Sequence, residues 1–177
     1  MSRRAQDIMI PLENYPHLPH TSTILQAVEV MERAEIVYKG KKSLPRALII
    51  FDQDFHPLGI VRRRDILRGI EPKFLRGMSV HHRKMMFEVE VDPDLADLGG
   101  GRLARAVQEQ ARVRVTEVMK NIRTTVKHDD IIAKIIYKMV HEDLNLIPVV
   151  KDARVIGVVR SVDVFHEVAN ELFGKIQ

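Results

Sequence analysis

The chain has 177 residues, 45% of them hydrophobic and 29% charged, which suffices for one ordinary domain or two small intertwined ones. Its apolar runs fall far short of the ~18 residues of a membrane span, the start "MSRRAQDIMIPLENYP" has no apolar stretch of signal-peptide length, and the lack of cysteine removes disulfides and thiolate chemistry; a cytoplasmic location without membrane contact is expected. Of the formal net charge of +4, the stretch from Ile60 to Met86 carries a local +6 (eight basic residues against Asp65 and Glu71) and the remainder −2, so the basicity is regional: either solvated surface or a lure for nucleic acid or anionic small molecules.

Taken in chain order, the segment "AQDIMI" (5–10) leads into a loop that ends at Thr21, Ser22 and Thr23. Any of these three can cap a helix whose apolar residues Ile24, Ala27, Val28 and Met31 follow the i, i+3, i+4, i+7 spacing. "YKGKKSLP" then has the Gly, Pro and lysines of an exposed connection. "ALIIF" and "LGIVR", divided by "DQDFHP", read as a β-hairpin of buried strands. "GIVRRRDIL" (59–67) runs from the second of these strands into three arginines and one aspartate, after which a second amphipathic helix is expected. Residues 73–111 form an irregular, then helical, insertion. "GGG" at 99–101 is expected to break any helix, and "RLARAVQEQARV" to form one with Leu103, Ala106, Val107 and Ala111 on a single face. The cluster Met85, Met86, Phe87 is either a partner-binding surface or a satellite of the core.

The order of elements then repeats. "VTEVMK" (115–120) matches "AQDIMI"; Asp129 can cap a helix carrying Ile132, Ile135, Ile136 and Met139; "LIPVV" and "VIGVV", divided by "KDAR", form the second hairpin. "GVVRSVDVF" (157–165) copies the earlier motif: Gly, two aliphatics, Arg, two variable residues, Asp, an apolar residue. Met9 to Met119 is an offset of 110 but Gly59 to Gly157 only 98, so the first copy carries twelve extra residues, most of them between Met31 and Gly59.

Two such copies resemble tandem CBS domains, the modules named after cystathionine β-synthase. "TTVKHDD", "NLIPVVKD" and "GVVRSVD" make the second copy the closer match. The resemblance implies an α/β (α+β) fold of two β-α-β-β-α modules, residues 5–72 and 112–174, packed about a pseudo-twofold axis with the partly helical insertion between them. It implies a regulatory, non-catalytic module, commonly a homodimer that forms a flat disc. Clefts between the modules of such pairs hold AMP, ADP, ATP or S-adenosylmethionine as ligands rather than required cofactors, and other members bind none and serve as docking modules. The present sequence bears no P-loop, no G-x-S-x-G and no acid/base constellation, so no catalytic residue is assigned.

Carried over residue by residue, the resemblance makes Asp65 and Asp163 the ribose readers, since a carboxylate accepts two hydroxyl hydrogen bonds. The family's usual Ser or Thr three residues after the Gly is replaced by Arg62 and Arg160 in the two copies. Each offers a planar fork to phosphate oxygens, or else pairs with its own aspartate and caps the helix. Adenine contacts fall by position on Leu18, Thr125, Val126, Leu146, Ile147 and Pro148, all of which also suit an ordinary core. The insertion 73–111 is the expected surface for a partner protein. Tight binding of generic duplex nucleic acid is not expected, nor is a metal site, because the histidines (His17, His20, His81 and His82 among them) lack ligand spacing.

Overall fold

The computed structural model describes residues 3–38, 40–71 and 100–174. The Met85–Phe87 cluster, His81, His82 and the distal half of the basic stretch lie outside the described residues. Two four-stranded sheets face each other, each with two helices on its outer side. The first module contributes β2 (His17–Pro19), α2 (Ile24–Arg33), β5 (Ala47–Phe51), β6 (Pro57–Arg62) and α3 (Arg63–Ile70). The second contributes β8 (Val126–Lys127), α5 (Ile132–His141), β9 (Leu146–Lys151), β10 (Arg154–Arg160) and α6 (Ser161–Gly174). In both, the leading strand runs parallel to the first hairpin strand and the hairpin is antiparallel.

The fourth strand of each sheet comes from the other copy. The short helix α1 (Ala5–Ile8) leads into β1 (Ile10–Pro11), which pairs with β10 of the second module, Ile10 opposite Val158 and Pro11 opposite Gly157. In the mirror arrangement β7 (Lys120–Asn121) pairs with β6 of the first module, Asn121 opposite Gly59 and Lys120 opposite Ile60. Ala5 and Ile8 are accordingly buried in the second module's core with Ile132, Ile135, Ile147 and Val159, and Val115 in the first module's with Ile24, Leu48, Ile50 and Val61. A third cluster, including Ile10, Tyr15, Ile36, Ala47, Ile49, Phe51, Leu146 and Val158, fills the space between the sheets. β5 shows the period-two logic: Ala47, Ile49 and Phe51 face the other module, while Leu48 and Ile50 face the first module's helices. Each fully buried aliphatic side chain contributes about 1.5–3 kcal/mol, so the exchanged segments are held by core burial as well as by a few strand hydrogen bonds.

Local signals account for most element ends. Thr23 caps α2 in a capping box: its Oγ1 accepts from the Gln26 N–H at 3.3 Å, and the Gln26 Oε1 accepts from the Thr23 N–H at 2.9 Å. Asp152 and Ala153 both have positive φ in the two-residue turn between β9 and β10, the conformation a tight hairpin with right-handed twist requires. Three expectations need correction. The N-cap of α5 is Ile131, not Asp129, and has no side-chain cap; the neighbouring Asp130 instead accepts from the Lys127 N–H and pairs with Lys134. "YKGKKSLP" is not a plain connection: β3 (Ile36–Tyr38) and β4 (Lys41–Ser43) form a hairpin around Gly40, whose Ile36 is buried because the space between the sheets takes it. Helix α4 (Gly100–Ala111) begins inside the triple glycine rather than after it, because the first turn of a helix asks little of a side chain. Gly101, with open space around its Cβ position, is expected to gain about 0.5 kcal/mol of stability on replacement by alanine, measured by chemical denaturation. Among the described residues no helix is long and apolar enough to cross a membrane.

Candidate functional site

β6 ends at Arg62, α3 begins at Arg63, and the first turn brings Asp65 back over the strand end. The Asp65 carboxylate is 1% exposed and accepts three hydrogen bonds from Arg62: from the backbone N–H (3.1 Å), from Nε (2.8 Å) and from Nη2 (3.1 Å). Burial alone would raise the Asp65 carboxyl; the Arg62 side-chain and backbone hydrogen bonds outweigh it and hold the group below the usual carboxylate range. Arg62 in turn rises above its ordinary value, chiefly through the hydrogen bond to Asp65, with Asp143 adding a further negative charge.

The same fork closes at the end of β10, with shorter contacts: Arg160 Nε to Asp163 Oδ2 at 2.6 Å and Nη2 to Oδ1 at 2.7 Å. Its remaining nitrogen, Nη1, donates to Ser43 Oγ of the inserted hairpin at 2.9 Å, across the module boundary. Arg160 and Asp163 side chains are 14% and 6% exposed, against 26% and 1% for Arg62 and Asp65. Beside them lies Tyr15, whose buried hydroxyl donates to the Ala47 carbonyl at 2.8 Å. Its phenol is pushed up by burial, which the nearby Arg160 charge opposes and the Asp163 charge reinforces. The second motif is thus a desolvated cation–anion pair wedged between the modules, the first a more open one.

The other sequence-predicted positions divide. Leu146 stands opposite Arg160 in register and belongs to the cluster between the sheets. Pro148 is buried opposite Val158. Val126 and Ile147 lie in the core under α5 and α6, and Leu18 packs against the first module's core opposite Ile50. Thr125 is half-buried, its carbonyl accepting from Lys138 Nζ at 2.7 Å. Leu146 therefore joins Arg160 and Asp163, whereas Val126, Ile147 and Leu18 sit in the helix-side cores. Ser43 and Tyr15 were absent from the sequence reading; no local pattern ties Ser43 to an arginine 117 residues away.

An open groove of about 460 Å³ runs between α3 and the exchanged segment 117–120, lined by Asp65, Arg68, Gly69, Glu71, Glu117 and Val118 to Lys120. Arg160 and Asp163 do not line it. Among the described residues a single cluster, Asp52, Asp54 and His56, groups metal-type ligand atoms. Its Asp52 carboxylate already accepts the Asp54 and His56 N–H groups at 2.9 and 2.7 Å and contacts the His56 ring, which is the hydrogen bonding of a turn.

The sequence profile described as the CBS domain matches residues 5–72 and 115–170, well over half of the chain. No curated protein matches the sequence. Solved structures are similar in fold. The CBS domains of a transcriptional regulator from Streptococcus pneumoniae share 16% identity at a TM-score of 0.58, over 93% of this chain and 98% of that one. CBSX2 in complex with AMP shares 14% identity at a TM-score of 0.61, over 95% and 97%. The CBS domain pair of protein MJ0100 in complex with 5′-methylthioadenosine and S-adenosylmethionine shares 18% identity at 0.60, over 97% and 99%.

Proposed function

The chain belongs to the CBS domain family, with two CBS modules in tandem, and from that premise we propose that it is a regulatory sensor of an adenine nucleotide. The observation that carries this reading is the fork at the module boundary, where the Arg160 guanidinium and the Asp163 carboxylate stand together at a strand-to-helix junction, one suited to phosphate and the other to a ribose diol. On this reading a nucleotide takes over part of the fork, Arg160 turning to phosphate while Asp163 accepts the sugar hydroxyls, with Leu146, Pro148 and Thr125 supplying the base environment and Val126 and Ile147 acting only as core beneath it. Arg62 and Asp65 form the secondary site, without Leu18, which packs in the helix-side core. AMP, ADP, ATP and S-adenosylmethionine are the candidate ligands, in keeping with the compounds carried by CBSX2 and MJ0100. The ligand is sensed rather than turned over, and no cofactor is required.

One observation favours a second reading. Both carboxylates already accept a complete bidentate pair from their own arginines, as a ligand-free docking module would have them. A thermal-shift panel of AMP, ADP, ATP, S-adenosylmethionine and cyclic nucleotides separates the two. A ligand present at ~100 times its Kd adds roughly 2.7 kcal/mol of stability, a rise of several degrees in a chain this size. A shift with at least one adenine compound is the expected result. A flat panel would overturn the sensor and leave the docking module, with residues 73–111 as the partner surface.

A further inference from the structure

The two modules differ most in the connection from their first helix to their first hairpin strand. Four residues (142–145) carry α5 into β9, against thirteen (34–46) from α2 into β5. Both connections end at equivalent places. The Asn145 carbonyl accepts from the Ser161 N–H at 3.0 Å and the Arg46 carbonyl from the Arg63 N–H at 3.3 Å, each at the first residue of its own module's last helix. Across the module boundary the short connection brings the Asp143 charge toward Arg62, whereas the long one carries the β3–β4 hairpin onto Arg160. There Ser43 Oγ accepts from Arg160 Nη1 at 2.9 Å, so all three guanidinium nitrogens are engaged, two by Asp163 and one by the hairpin. Ile36 is fully buried between the sheets in one cluster with Tyr15 and Leu146, the neighbours of the fork, and Tyr38 packs against that cluster. The two motifs differ accordingly: a groove of about 460 Å³ opens beside Asp65, and neither Arg160 nor Asp163 lines it.

We infer that the β3–β4 hairpin is an intramolecular plug, which occupies the cleft beside Arg160 and Asp163 and shuts it to anionic ligands until it swings out. That the ligand is an adenine nucleotide rests on the function proposed above; the plug itself rests on the hairpin's own contacts. These are the contacts of a detachable element. β3 and β4 have three residues each and pair with one another, not with either four-stranded sheet, and a two-stranded hairpin is marginally stable by itself. Its hold on the second motif runs through the Ile36 side chain and the hydrogen bond from Arg160 to Ser43. Val37 and Leu44 are exposed, as is the Lys42–Glu35 ion pair at its base. A phosphate oxygen is a stronger acceptor for a guanidinium than a neutral hydroxyl, because both partners are then charged. Ligand and hairpin therefore compete for Arg160. A cleft that is open in a fraction of the molecules weakens the apparent affinity by that fraction, so the hairpin sets the concentration at which the second motif responds.

Arginine modification by phenylglyoxal is the test, on the full chain and on two variants whose folding is verified by melting curves. Deletion of residues 36–43 leaves a connection close in length to that of the second module. Ile36→Ala combined with Ser43→Ala loosens the hairpin without shortening the chain, and decides the matter if the deletion does not fold. Peptide mass spectrometry reads Arg160 against the exposed Arg154 of the same strand, and needs no nucleotide. The relative reactivity of Arg160 is expected to rise about tenfold in the variants, the inverse of the fraction open in the wild type. AMP or ATP added in steps then reads binding at this motif as protection of Arg160, and the half-protecting concentration should fall about tenfold without the hairpin. An Arg160 that becomes reactive while neither nucleotide protects it would uphold the plug and sink the nucleotide sensor at this motif. An Arg160 no more reactive in the folded variants, or protection that is unchanged or weaker without the hairpin, would overturn the plug.

Discussion

Asp163→Ala is expected to destabilise the fold by about 3–5 kcal/mol, a fall in melting temperature of roughly 10 °C for a chain of this length. The substitution strands Arg160, which is only 14% exposed, so its charge loses a buried partner and has little water to replace it. Ser43 Oγ, the other partner of that guanidinium, is a neutral acceptor and does not compensate. Asp65→Ala should cost less, about 2 kcal/mol, because Arg62 is 26% exposed and can turn to solvent. Melting curves of both variants beside the wild type check the order. Equal losses, or a loss under 1 kcal/mol for Asp163→Ala, would show that the desolvated pair is not what anchors the module boundary. If a nucleotide binds, Asp163→Ala should also weaken it by tenfold or more, since hydrogen bonds to a charged group are worth about 1.5–3 kcal/mol. The Asp65 pair has an acid signature as well. Its carboxyl titrates below the ordinary value in the folded state, so its contribution is complete above the unfolded value near ~3.9 and is lost as the pH falls through the folded one. The stability gap between wild type and Asp65→Ala should therefore narrow on acidification below that point.

Gly157→Ala is the second large effect. A Cβ there would lie 2.5 Å from the Ile10 carbonyl oxygen and 3.3 Å from its carbon, both backbone atoms of the exchanged strand β1. Neither can rotate away, so β1 must move off β10, at a cost of about 3 kcal/mol from overpacking and lost strand hydrogen bonds together. At the equivalent Gly59 the Cβ would meet the Lys120 carbonyl at 2.8 Å and the Met119 sulfur at 2.8 Å. The contact is less severe and half of it is a flexible side chain, so Gly59→Ala should cost roughly half as much. Chemical denaturation of the two variants measures both. A neutral Gly157→Ala would mean that the exchange of leading strands is not tight.

The close approaches of Ile10 to Gly157 and of Lys120 to Gly59 also mark the boundary between what was legible and what was not. Period-3.6 spacing of Ile24, Ala27 and Met31 and of Ile132, Ile135 and Met139 placed two helices with the correct faces inward. Short apolar runs bounded by turn residues placed both hairpins. These signals are local: a helix face or a tight turn depends on residues a few positions apart, and a repeated order of such elements identifies the family. The alternative in which each arginine pairs with its own aspartate was legible for the same reason, since residues i and i+3 at a helix start are neighbours.

The sequence by itself determined the module and its duplication, and left the Arg–Asp fork at each strand end as one of two alternatives, which the structure decided. Only the tertiary structure decided that "AQDIMI" and "VTEVMK" cross over to complete the opposite sheets. A two-residue strand offers the same backbone donors and acceptors to either module, and the choice rests on where Ala5, Ile8 and Val115 find a core and where a glycine admits a carbonyl. The hairpin hidden in "YKGKKSLP" was decided in the same way. Its strands have no alternating pattern of their own, and Ile36 and Ser43 acquire their roles from a cavity between sheets and an arginine in the other module. Burial between modules is a property of the assembled pair, and no stretch of either copy carries it alone.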